Sequence, residues 1–355
     1  MGEKMNMTKE ILNTIREIYL CLADSKSKKL FVDRLLYSIS SNREYVYDLL
    51  QDSVIDFSER IGELKNKTEI IIYGAGINCE MVIIACKKHG IKVDYICDRD
   101  IDKQGKKYFD VDVISPDELI NYHKNATVVI STTYYYEEVR DFLQQHFPSD
   151  QLVAFANKNQ IDSIRLQYFD EILQLKDGEV FVDCGCFDFN TSKILLSKCK
   201  AEKIYAFEPD KKNLERIKME VDKMKLSNVE IIPAGMWSCN TTLFFNSQGS
   251  MMSRIDENGE DEVEVRALDE VVDGKVTFIK MDIEGAELQA LFGAEKTIKK
   301  YKPKLAICIY HRLEDILEIP AYIHSIVPEY KFYIRHYSFS TSETVLYATI
   351  ADDIV

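Results

Sequence analysis

The sequence predicts an α/β protein: two Rossmann-like units in series, each a mainly parallel sheet flanked by helices, behind a helical N-terminal segment. Two observations carry this expectation. Short apolar runs of strand length alternate with amphipathic helical stretches over residues 67–156 and again over 179–355, the pattern of parallel strands joined by right-handed crossovers. In each stretch the first run stops at a glycine turn, Gly74-Ala75-Gly76 or Asp183-Cys184-Gly185, and the second stops at a carboxylate, Asp98 or Glu208. A glycine there lets backbone approach a ligand, and an acid at the next strand tip is placed to accept ribose hydroxyls.

Composition narrows the function classes. At 355 residues the chain is too long for one ordinary core. A hydrophobic content of 46% with 29% charged residues describes a folded globular protein. The net charge of −14 disfavours nucleic acid, whose phosphates need clustered Lys and Arg. No run has the length of a membrane span, no signal pattern opens the chain, and Asn6 stands where a myristoylation signal wants Ser or Thr. The nine cysteines lack CxxC pairing, so no zinc centre or disulfide framework is expected. Small buried thiols in a reducing cytoplasm are the expectation.

Residues 1–66 form the helical segment. Ile11, Ile15, Ile18 and Tyr19 recur at helical spacing, as do Phe31, Leu35, Leu36 and Ile39. Ser40-Ser41-Asn42 breaks the pattern, and Tyr45–Leu64 resumes it. No chemistry is visible here, and packing or homo-oligomerisation is the expected role.

The smaller unit, 67–156, begins with strand Ile70–Tyr73 and the glycine turn, then helix Cys79–His89 and strand Val93–Cys97. Val113-Ile114 leads into Ser115-Pro116, a cap followed by a first-turn proline. Strand Thr127–Ser131, helix Tyr136–His146 and strand Leu152–Phe155 complete it. In GAGINC, Cys79 occupies the place of the third glycine of a dinucleotide fingerprint, which disfavours NAD. The placing of YGAG and CDRD resembles that in the small Rossmann-like domains beside sugar-modifying enzymes. A nucleotide-sugar or NAD site centred on Gly74–Asp98 and a structural role both stay open. Tyr134–Tyr136 offers aromatic surface for a sugar ring, one side of it expected in the core.

Residues 157–178 read as a helical linker ending at Asp177-Gly178. In the larger unit, 179–355, the strand from Val180 is followed by helix Thr191–Cys199, strand Lys203–Phe207, helix Lys211–Lys225 and strand Val229–Ile232. Thr242–Phe245 and Glu262–Arg266 read as added strands around a polar loop. Val276–Met281 ends at Asp282, helix Gly285–Lys300 follows, and Lys304–Tyr310 ends at His311. A further helix runs to Ile326, and Lys331–His336 with Thr344–Ile350 form a terminal hairpin. Five βα steps plus that hairpin predict a seven-stranded sheet.

VDCG, AFEP, RALDE and KMDIEGAELQALFGA, followed by a strand, His311 and the hairpin, resemble the FkbM-type methyltransferase family. The resemblance covers roughly residues 180–350 and implies a class I methyltransferase-like sheet. It further implies an S-adenosylmethionine-dependent O-methyltransferase, such enzymes often acting on sugar or polyketide hydroxyls, and a carbohydrate or glycoconjugate hydroxyl is the expected acceptor. Carried over by position, Asp183, Gly185 and Cys186 line the methionine and ribose end of the cofactor, and Glu208 accepts the ribose hydroxyls. Ala234 and Gly235 border the adenine, and Asp282 lies where donor and acceptor meet. A small-molecule or glycan acceptor is implied as partner. A sulfonium favours nearby carboxylates, which agrees with these positions.

One position departs from the family pattern. Phe189 stands where the family turn has a second glycine. A phenylalanine enters positive φ only at a cost, and its ring has the size to occupy space beside the cofactor, with Asp188 and Asn190 as local compensation. That motivates an alternative, a non-enzymatic binding module with a degenerate cofactor site. Asp183 would equally serve as a helix cap, and Asp282 and Glu284 as charges meeting a helix dipole. With Asp315 they have the oxygen-rich makeup of a Mg²⁺ site, but the spacing is not diagnostic and no metal is expected. His311, an imidazole at a strand tip, is the expected base, with Asp282 positioning donor or acceptor and the reverse assignment open. His336 is a weaker second choice, its neighbour Arg335 suggesting a surface pair.

Overall fold

The computed structural model describes residues 2–45, 58–132, 135–156, 166–246, 254–255, 261–338 and 340–350. Part of the expected helix over 45–64, Tyr134, the linker over 157–165 and most of the loop between Asn246 and Asp261 lie outside them. The chain forms two compact units, one of Met1–Ile39, Leu166–Arg335 and Glu343–Val355, the other of Ser40–Arg165 and His336–Ser342.

In the smaller unit the strands are β1 (Ile70–Tyr73), β2 (Tyr95–Cys97), β3 (Lys107–Tyr108), β4 (Val111–Ile114), β5 (Thr127–Ile130) and β6 (Leu152–Ala154). Their order is β3-β4-β2-β1-β5-β6, parallel except where β3 meets β4. β1 and β5 are buried throughout, as runs covered by helices on both faces must be. Ser115 caps helix Pro116–Tyr122 by accepting from the Glu118 amide at 3.1 Å, as the sequence predicts. β3 was not legible, because a two-residue strand has no periodicity.

The larger unit carries β7 (Glu179–Cys184), β8 (Ala201–Phe207), β9 (Val229–Ile232), β10 (Gly235–Met236), β11 (Thr241–Asn246), β12 (Arg254–Ile255) and β13 (Asp261–Arg266). β14 (Phe278–Met281), β15 (Lys304–Cys308), β16 (Lys331–His336) and β17 (Thr344–Thr349) complete it. The main sheet has seven strands in the order β16-β17-β15-β14-β7-β8-β9. β7, β8, β9, β14 and β15 run parallel, and β17 lies antiparallel to β15. This is the class I methyltransferase-like sheet. β10, β13, β11 and β12 form a separate four-stranded sheet. The helix expected over Gly285–Lys300 is instead two, Glu287–Phe292 and Glu295–Tyr301. A Cβ on Gly293, between them, would overlap the Trp237 carbonyl, so the glycine permits that close approach.

The N-terminal helices Gly2–Cys21 and Ser25–Ser40 belong to the larger unit. The Ala23 amide donates to the Phe332 carbonyl at 2.9 Å, the Ile334 amide to Ser27 Oγ at 2.9 Å, and Arg335 pairs with Asp24 at 2.8 Å. Within the second helix, Leu30, Phe31 and Arg34 are buried, whereas Leu36 and Ile39 are exposed. The buried face is thus rotated from the purely apolar one, because Arg34 reaches in to donate to the Tyr310 carbonyl at 3.1 Å. No helix among the described residues is long and apolar enough to cross a membrane.

Candidate active site

A cleft of about 230 Å³ lies at the C-terminal ends of β7, β8 and β14. Such crevices hold the ligand in doubly wound sheets. After β7 the chain turns at Gly185, φ 76°. A Cβ on Gly185 would overlap the carbonyl oxygen of Asp282, so the tips of β7 and β14 meet backbone to backbone. Phe187, also at positive φ, donates its amide to Glu208 Oε2 at 2.9 Å and so ties the turn to β8. Glu208 Oε1 accepts the Asp210 amide at 2.9 Å and Asn213 Nδ2 at 3.3 Å. Burial raises the Glu208 pKa, and these donors hold it partly back.

Of the residues expected at the site, Gly185, Cys186, Glu208, Gly235 and Asp282 line the cleft together. Asp183, Ala234 and His311 do not. Asp183 is fully buried one layer behind, accepting from Ser192 Oγ at 2.7 Å and facing Lys280 Nζ at 3.3 Å. Lys280 in turn donates to the carbonyls of Cys184 and Gly185 at 3.1 and 2.8 Å. Burial works against its charge, but Asp183 and Asp282 outweigh that and raise its pKa. A buried ion pair therefore braces the turn from inside. Lys280 was readable in the sequence as the one cation in the apolar run Val276–Met281. Phe189 does adopt positive φ, 67°, but its ring is fully buried and does not line the cleft. Asp188 steadies this strained start by accepting the Asn190 amide at 3.0 Å.

Around the tips of β14 and β15 the charges converge. Asp282 Oδ2 accepts from the Tyr168 hydroxyl at 2.7 Å and Oδ1 from that of Tyr310 at 3.3 Å. His311 Nε2 lies 3.3 Å from Asp282 and 3.6 Å from Glu284, and Nδ1 lies 2.9 Å from Glu287. Neither nitrogen is aligned for a hydrogen bond, so these are ion-pair contacts. Burial alone would lower the His311 pKa, yet Asp282 and Glu287 outweigh it and raise it to about 10. Burial likewise opposes ionisation of Asp282, but His311, Lys280 and Tyr168 hold it well below the usual carboxylate range. Burial pushes Glu284 up to about 7, and Glu343 as well. Tyr168, Tyr310 and Glu343 gave no sequence signal, since each meets Asp282 or its partners only through the fold.

Asp282, Glu287 and His311 each present an atom within 4.8 Å of the others, the residue types of a metal centre. A proton on His311 and a cation would compete for the same nitrogen lone pair, and the carboxylates of Asp282 and Glu287 offset the charge of either. The grouping of Asp282 and Glu284 with Asp315 does not form among the described residues. His336 is fully buried rather than a surface residue and does not line the cleft. Arg335 pairs with Asp24 instead.

The His311 pair has a stability consequence. A folded pKa of about 10 against 6.5 means that its contribution is complete below about pH 6.5 and is lost as pH rises through 10. Between pH 7.5 and 10, above the range where Glu284 and Glu343 titrate, the urea midpoint is expected to fall. His311→Gln should flatten that slope, and an unchanged slope would mean that the imidazole is not held protonated. Asp282, Glu284, Glu287 and Tyr310 face it directly. Asp315 and Glu343, each pushed up to about 7 by burial, also feel its charge and finish titrating near the bottom of this window.

Residues 177–334 match the family described as the methyltransferase FkbM domain, and residues 66–150 match the C2185-like N-terminal domain. The first match supports methyl transfer as the general chemistry. A crystal structure of methyltransferase FkbM from Methylobacillus flagellatus KT is similar over 90% of this chain and 99% of its own, at 21% identity and a TM-score of 0.50. That likeness shows the fold. An rRNA methylase from Streptococcus thermophilus aligns over 51% of this chain and 93% of its own, at 17% identity and a TM-score of 0.35. No curated protein matches.

Proposed function

We propose that the chain is an S-adenosylmethionine-dependent O-methyltransferase acting on a hydroxyl, of a carbohydrate or glycoconjugate. One observation carries this reading: the glycine turn, Glu208 and Asp282 meet around a single cleft. The residues suit the cofactor. Glu208 Oε2 accepts only the Phe187 amide and keeps a lone pair for one ribose hydroxyl, and the second hydroxyl would replace the long 3.3 Å contact that Asn213 Nδ2 makes to Oε1. Met236, Val263 and Val265 give an apolar wall beside Gly235, suited to an adenine. Asp282 and Glu284 place negative charge where a sulfonium would be favoured. Gly185 and Cys186 would border the methionine end, with Asp183 and Ala234 supporting the wall from behind. When bound, S-adenosylmethionine supplies a methyl group activated by a positively charged sulfur.

A hydroxyl becomes a good nucleophile only as its proton leaves, so a base beside it is required. His311 carries its proton at neutral pH and lies behind the cleft wall. Asp282 is ionised and faces the cleft. The reverse of the first assignment follows: Asp282 takes the proton, and His311 and Tyr168 fix its carboxylate. Because the acceptor oxygen grows strongly acidic as the methyl group bonds, a weakly basic carboxylate suffices. Phe189, the motive for a cofactor-less module, has its ring outside the cleft, so that alternative loses its support.

Calorimetric titration with S-adenosylmethionine tests the reading. Glu208→Ala is expected to weaken binding by about 1–3 kcal/mol through lost charge-assisted hydrogen bonds. Unchanged affinity would place the ribose elsewhere, and no binding by the parent chain would sink the enzyme reading. A screen of sugars for production of demethylated cofactor tests the acceptor class, and methylation of nitrogen or carbon would overturn it.

A further inference from the structure

The smaller unit has a cavity of its own, of about 630 Å³, that methyl transfer does not use. It lies where the strand order changes direction, with β2 and β4 on one side of β1 and β5 and β6 on the other. Doubly wound sheets hold ligands at that place, outside the carboxyl ends of the strands. Tyr73 and Gly74 after β1, Asp98 and Arg99 after β2, and Ser131 and Thr132 after β5 all reach it. Gly74 has φ 105°, and a Cβ there would press on Ser131 Oγ at 3.0 Å. Gly76, two residues on, faces open space.

The charged groups around the cavity are spent on one another. Asp98 accepts from the amides of Ala75 and Asp100 at 2.6 and 2.8 Å, so it braces the glycine turn. Lys103 donates to the Ala75 carbonyl at 3.2 Å and lies 3.5 Å from Asp98. Arg99 donates to the Tyr73 hydroxyl at 3.0 Å and pairs with Glu138. Asp98, Asp100 and Glu138 together outnumber Arg99 and Lys103, which is unfavourable for a pyrophosphate. What remains unspent is neutral. Tyr73, accepting from Arg99, keeps its own proton to donate, and Thr132, accepting from the Tyr135 amide at 3.3 Å, does likewise. Asn78 gives its amide hydrogen to the Ser131 carbonyl at 2.9 Å and keeps its oxygen as an acceptor. The Tyr135 ring stands at the rim, 65% exposed.

Neutral donors and acceptors beside an exposed aromatic face match a ring that carries hydroxyls on its edge and C–H groups on its face. We propose that this cavity is a second ligand site, for a neutral saccharide, in addition to the methyl-donor cleft. The site does not depend on the methyltransferase reading.

The test is saturation-transfer NMR and calorimetry on the full chain with glucose, galactose, mannose, N-acetylglucosamine and lactose, with NAD⁺ and UDP in parallel. At least one saccharide is expected to bind saturably. Gly76→Leu should abolish that binding, because φ at Gly76 is −101° and a side chain there meets only open space, so the cavity is filled without backbone strain. Tyr135→Ala should weaken it about tenfold or more through loss of the aromatic face. Both variants should keep the parent's circular dichroism spectrum and amide NMR dispersion, which shows that the smaller unit still folds. Binding by none of the saccharides, or equal binding by Gly76→Leu, would overturn the proposal. Binding of NAD⁺ or UDP without any saccharide would also overturn it, in favour of a nucleotide site. Saccharide binding without S-adenosylmethionine binding would leave this site standing and remove the proposed enzyme.

Discussion

Asp282→Asn is expected to lower kcat by about 10²–10⁴-fold, the usual contribution of a positioned base. Asparagine keeps the shape and can still accept from the Tyr168 hydroxyl, but it cannot take a proton. Cofactor affinity should fall less, because only the Asp282 charge beside the sulfonium is lost while Glu284, Glu208 and the Gly185 turn remain. Single-turnover methyl transfer separates the two quantities. His311→Gln should cost less, since the imidazole acts on the reaction only through the Asp282 carboxylate, 3.3 Å away. If His311→Gln proves the more damaging of the two, the imidazole is the base after all, and the reversal of roles drawn from its protonation is wrong.

Gly185→Ala should destabilise the larger unit by on the order of 2–5 kcal/mol, combining a left-handed residue with overpacking of a close contact. The cause is local and double. φ is 76°, and the new methyl group would strike the Asp282 carbonyl and approach the Ile283 side chain. Relief requires the tips of β7 and β14 to separate, which also spreads the cleft, so cofactor binding should fall with stability. Gly235→Ala is the matched comparison. It lines the same cleft without positive φ, and its added methyl would meet only the Val265 side chain closely, at 3.3 Å. Urea denaturation of both variants gives the answer. Equal midpoints for the two would mean that the β7–β14 contact is looser than the structure has it.

Much of the site was legible because strand tips are marked locally. Gly185, Glu208 and Asp282 each follow an apolar run, and the chain returns those runs to adjacent places in one parallel sheet. Phe189 shows the limit of the same logic. The sequence marked positive φ there as costly and the ring as able to crowd the cofactor, but the residue adopts positive φ and its ring packs into the core. The N-terminal helices show it again. Spacing foretold helices, but the face actually buried includes Arg34, whose place is fixed by the Tyr310 carbonyl from the far end of the chain.

By itself, then, the sequence determined the order of the principal strands and helices, the seven-stranded sheet and the tips of β7, β8 and β14 that border the cleft. Those follow from periodicity and turn chemistry, which act over a few residues. Tertiary structure alone decided that Asp183 faces Lys280 behind the wall, that His311 is held protonated while Asp282 meets the cleft, and that Tyr168 and Tyr310 grip the same carboxylate. Ionisation and reach depend on burial and on partners brought from distant segments, and a residue's neighbours in sequence carry no record of either.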